Sequence, residues 1–90
     1  MLTDSPYIIT IEHPSAEDCL LAAKSSLKAR RTNSAGQQLR LHRESMNSAV
    51  SFVILLGSTA VERHVYHVSP YCTVKSGRPV LDVERLALYR

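Results

Sequence analysis

Three side chains in one short stretch, His64, His67 and Cys72, carry the atom types that bind zinc. Their spacing argues against it. In an extended chain residues three apart point to opposite faces, and no Cys-x2-Cys pair supplies further ligands. A polar strand face with two titratable rings is the simpler reading, and no metal is expected. Nucleophile chemistry has no better footing. Gly57-Ser58 is not a Gly-x-Ser-x-Gly elbow, and no base is placed beside Ser58 by sequence. Cys19 borders the apolar stripe of a helix, which suits a buried thiol better than a reactive one. Cys72 stands near Lys75 and also reads as inert. Glu17 and Asp18 belong to a helix start, while Asp82 and Glu84 lie two apart. The three glycines are not clustered, so no phosphate-cradling loop is present. No enzymatic activity and no cofactor are expected.

The most informative chemistry is electrostatic. Residues 1–18 carry Asp4, Glu12, Glu17 and Asp18 and no Lys or Arg. Residues 19–43 carry Lys24, Lys28, Arg30, Arg31, Arg40 and Arg43 and no acid. The net charge of +3 hides this segregation, which steers partners when it persists on the surface. Lys24, Lys28 and Arg31 share one edge of a helix by their i, i+4, i+7 spacing. Arg40 falls on the solvent face of the next strand beside His42. Such a set can neutralise a few phosphates, with Thr32, Asn33 and Ser34 as extra donors. The bland alternative is a solvated helix face whose last turn gathers cations because the helix dipole favours them. No exposed aromatics are interleaved with the cations, so the stacking platform of a single-strand binder is missing. No helix-turn-helix, zinc-finger or aromatic RNA-binding signature is present.

Ninety residues make one domain, 1–90, with a modest core. The apolar fraction of 44% excludes disorder along the whole chain. Two cysteines are too few for a disulfide framework. The first fourteen residues lack a basic n-region, and the apolar run 49–56 is far below the ~20 residues that span a bilayer. A soluble cytoplasmic protein with no membrane contact is therefore expected.

The elements that must position these groups follow from periodicity. Residues 7–13 alternate and are β-branched, so they read as a strand ended by Pro14. Ser15-Ala-Glu-Asp18 opens a helix over about 15–31, with Ala16, Leu20, Ala23 and Leu27 as its apolar stripe. Residues 37–43 read as a half-buried strand. Residues 49–56 suit a buried strand, with a helix from Glu44 as the competing reading. Residues 60–68 are its hairpin partner through the turn at Gly57. Tyr71–Val74 suits a short strand. Pro79 at a first helical position, followed by Val83, Leu86 and Ala87, predicts a short C-terminal helix, although residues 80–83 also suit a strand. The fold expected is α+β: a small antiparallel or mixed sheet of four or five strands, with one long helix and the short C-terminal helix packed on it.

The function expected is that of a small non-enzymatic binding protein whose basic face, residues 24–43, contacts nucleic acid or a nucleoprotein complex. A second expectation is a protein-interaction module of phage or viral accessory type that inhibits a host complex, such as a CRISPR or other defence complex. This rests on an analogy of fold and size. A third is a structural subunit of a larger ribonucleoprotein assembly. Strands 7–13 or 60–68 are candidates for a sheet edge that pairs with another chain or forms a homodimer, with Tyr66 and Tyr71 as interface anchors.

Overall fold

The computed structural model describes residues 7–29, 38–68 and 78–86. Five strands and one helix follow in the order β1 (Tyr7–Glu12), α1 (Ala16–Ala29), β2 (Leu39–Met46), β3 (Ala49–Leu56), β4 (Thr59–His67) and β5 (Val80–Arg85). The strands form one antiparallel sheet in the order β1-β5-β4-β3-β2. The α+β architecture read from the sequence is therefore present. The expected C-terminal helix is not: residues 80–85 are a strand hydrogen-bonded on both sides, to β1 and β4. The short strand expected at 71–74 lies outside the described residues.

Each turn has a local cause. His13 adopts φ 66°, and with the buried Pro14 behind it the chain leaves β1 for the helix. Ser15 and Asp18 then cap α1 reciprocally. The Asp18 amide donates to Ser15 Oγ at 3.1 Å, and the Ser15 amide donates to Asp18 Oδ2 at 3.1 Å. Gly57, at φ 65°, occupies the first central position of the two-residue β3–β4 turn, where a side chain would be strained.

Alternating antiparallel pairs make β1 and β2 parallel, at opposite edges of the sheet. The α1 segment is the crossover between them, and it packs over β2, β3 and β4. Its buried side is centred on Cys19 and Ala23, both at 0% exposure, which meet Phe52, Leu81 and Val83. Leu20, Leu41, Val50 and Tyr66 close the margin of that cluster. The stripe is thus rotated from the one read in the sequence, since Ala16 is exposed and Cys19 sits at its centre. On the other side of the sheet Ser51, Val53 and Val65 are also buried, flanked in register by Glu44, His42 and Arg63.

One irregularity decides which β4 residues lie beneath the helix. Leu55 pairs with Ala60 but Ile54 pairs with Glu62, so Val61 is an extra residue in a β-bulge. An unbroken hairpin would have placed Val61, Arg63 and Val65 opposite Ile54, Phe52 and Val50. The bulge replaces them with Glu62, His64 and Tyr66.

Candidate functional site

The densest group of reactive side chains lies between α1 and the sheet. Glu62 is 0% exposed. It accepts a hydrogen bond from Ser26 Oγ of α1, lies 3.0 Å from His64 Nε2, and pairs with Arg85 Nη1 of β5 at 3.2 Å. A serine, a histidine and an acid invite comparison with a catalytic triad, but their order is wrong. The base must sit at the hydroxyl it activates, with the acid behind it. Here the carboxylate is in the middle and holds both the hydroxyl and the imidazole. This arrangement ties α1 to β4 and β5, and it supplies no activated nucleophile. Nothing in the sequence singled it out, because its assembly depends on the bulge at Val61.

Cys19 is equally unsuited to chemistry. Burial pushes its thiol up to about 11, because the surrounding apolar atoms disfavour the thiolate. His64 and His67 lie on opposite faces of β4, as their spacing requires: His64 is buried beneath the helix, whereas His67 is exposed and bonds Asp82 Oδ2 at 2.9 Å. Cys72 lies outside the described residues.

The basic residues behave differently. Lys24 and Lys28 are exposed on the outer side of α1. Arg43 is exposed on β2, on the helix side of the sheet, with its guanidinium 5.8 Å from the centroid of the Phe52 ring. Arg40 is exposed on the opposite face of β2, and its Nη2 donates to the Gly57 carbonyl at 3.4 Å. The C-terminal turn of α1, the start of β2 and the β3–β4 turn share one end of the sheet, since Ser26 reaches Glu62 and Arg40 reaches Gly57 there. Arg40 and Arg43 thus flank β2 from its two faces, whereas Lys24 and Lys28 stand on the outer side of α1, so the four cations do not form one flat face. The expected Arg30 and Arg31 lie outside the described residues, as does Tyr71. Tyr66 is half-buried on the helix side of a central strand.

Pairing separates these cations from the rest. Arg63 lies 3.7 Å from Glu84, Arg78 lies 4.0 Å from Glu12, and Arg85 lies 3.2 Å from Glu62. Lys24, Lys28, Arg40 and Arg43 have no carboxylate partner among the described residues. Among the described residues the acids of the amino-terminal segment, Glu12, Glu17 and Asp18, lie at the other end, where β1 finishes and α1 begins.

Comparison with known proteins finds no matching family model, no matching curated protein and no matching solved structure. Among the described residues no helix is long and apolar enough to cross a membrane, and no cluster of His, Cys, Asp and Glu suited to a metal ion occurs.

Proposed function

We propose that this protein is a non-enzymatic binding module that grips an anionic partner, nucleic acid or a nucleoprotein, along the β2 edge. The observation behind this reading is the pairing pattern. The described cations of the acid-free segment are exposed and without carboxylate partners, and the described cations elsewhere are matched to acids. Unpaired surface cations keep their full field for an external anion, and each one placed on a phosphate releases a condensed counterion. The grip follows the backbone rather than the bases. Long flexible side chains on both sides of the sheet suit phosphate contacts, and among the described residues no element is placed to enter a groove with a row of base-reading groups.

The other expected roles, inhibitor of a host defence complex and structural subunit of a ribonucleoprotein particle, draw on no separate observation. The test is binding of a fluorescent 20-base-pair DNA, and of an RNA of the same length, to the full chain by anisotropy. Reversing Lys28 and Arg40 to Glu is expected to weaken binding at least tenfold. Reversing Arg78, a paired cation at the other end, is expected to change it little. Equal losses from both would show nonspecific charge only, and no loss from the first pair would refute the assignment.

A further inference from the structure

The sheet has two edges, and they differ in character. The β2 edge carries Arg40, His42, Arg43 and Glu44, the kind of charged side chains that discourage strand addition. The β1 edge carries Ile8, Ile9 and Ile11, which are 55%, 37% and 48% exposed. Among the described residues, three of the five large apolar side chains left exposed are therefore on one six-residue strand. A strand with an apolar flank and an open row of amides recruits another strand.

The register of β1 specifies what that strand must offer. The His13 amide donates to the Pro79 carbonyl at 3.0 Å, and Glu12 pairs with Val80. Antiparallel partners alternate between hydrogen-bonded and non-hydrogen-bonded pairs, so odd-numbered residues of β1 turn their backbone groups toward β5. Ile8, Thr10 and Glu12 then direct their amides and carbonyls outward. A second β1, placed antiparallel about a two-fold axis at Thr10, satisfies all of them. Thr10 meets its own copy, and Ile8 meets Glu12 of the second copy on either side. The same register brings Ile9 opposite Ile11 twice, as non-hydrogen-bonded pairs on the helix face, where cross-strand side chains approach most closely. Charge is also compatible: Glu12 faces Ile8 and does not face another Glu12. Pairing β1 with the β2 edge of a neighbour would instead generate an open filament.

We infer that two copies of this chain associate through β1 to form a continuous ten-stranded antiparallel sheet, with Thr10 at the two-fold axis. The β2 strands lie at its two ends, away from this contact, so the contact does not depend on anion binding.

Sedimentation equilibrium of the full chain tests this, with the expected species at twice the 10.0 kDa chain mass. Thr10→Pro removes an outward amide and no bond to β5, so it is expected to give a monomer with an unchanged circular dichroism spectrum. Thr10→Val keeps the amide and loses the side-chain bond to Asp82, and is expected to remain dimeric. With Cys19 and Cys72 replaced by Ser, Thr10→Cys is expected to oxidise to a linked dimer, because directly opposed hydrogen-bonded residues lie about 5.5 Å apart at Cα. Ile9→Cys in that background is expected to link poorly. A wild-type monomer at every concentration, or a dimer that survives Thr10→Pro, would overturn the inference. A monomer that instead captures a foreign protein in a Thr10→Pro-sensitive manner would assign the edge to that partner and likewise overturn self-pairing.

Discussion

Glu62 shows how far a single side chain's role can depend on backbone geometry. In sequence it is one acid in an alternating strand. In the fold it is fully buried and held by Ser26, His64 and Arg85. A buried carboxylate is tolerated only when its charge and lone pairs are matched. Removing one partner leaves that charge poorly compensated, so Arg85→Leu is expected to cost about 3 kcal/mol, at the low end for a broken buried pair because the guanidinium is partly exposed. Replacing both residues, Glu62→Leu with Arg85→Leu, is expected to recover part of that loss. Urea unfolding of the two variants checks the prediction, and additive or larger losses in the double variant would contradict it. Cys19 makes a second case. Its thiol is raised from 9.0 to about 11, so the folded state retains a proton that the unfolded state releases above pH 9. The stability carried by this group is complete below pH 9 and falls away as pH climbs through 11, by roughly 3 kcal/mol. The stability difference between wild type and Cys19→Ala should shrink across that window. Iodoacetamide should label Cys19 of a Cys72→Ser protein only after denaturation, and rapid labelling of the native state would refute the assignment.

Among the elements, α1 was legible because its signals are local. The reciprocal Ser15–Asp18 cap is written in four consecutive residues, although the buried stripe is rotated to centre on Cys19 and Ala23. Ser15→Ala is expected to lower stability by about 1 kcal/mol in urea unfolding, as loss of an N-cap does elsewhere. An unchanged midpoint would mean that tertiary packing alone holds the helix start. The hairpins were legible for similar reasons: residues 49–56 are a strand, and Gly57 closes the turn after it. Two features were not. The carboxyl-terminal segment offered Pro79 as a helix start, yet Leu81 and Val83 alternate with Asp82 and Glu84, and partners on both sides favour that period of two. The edge was also misassigned in part, because residues 60–68 pair with both β3 and β5 and are central. Strand order depends on contacts between residues distant in the chain, and no short window of sequence contains them. The bulge at Val61 belongs to the same class. It moved Glu62 and His64 under the helix, and it hid their buried polar network from a reading based on alternation.

On the scale of the whole molecule, Glu12, Glu17 and Asp18 lie at the end away from Lys28 and Arg40, because α1 runs from the end of β1 toward the start of β2. Arg40 and Arg43 face opposite sides of β2, as residues three apart in a strand must. The described cations therefore lie on both sides of the sheet and do not form a plate. A partner engaged this way is held by its backbone charge, and the affinity must fall as salt competes for that charge. The most direct measurement is the salt dependence of binding to double-stranded DNA by the wild-type chain. Four phosphate contacts, at about 0.9 released counterions each, give a slope of roughly −3 to −4 in log K against log salt, and the Lys28→Glu, Arg40→Glu variant should flatten it by about 2. A slope near zero, or one the variant leaves unchanged, would contradict the assignment of this edge to an anionic partner.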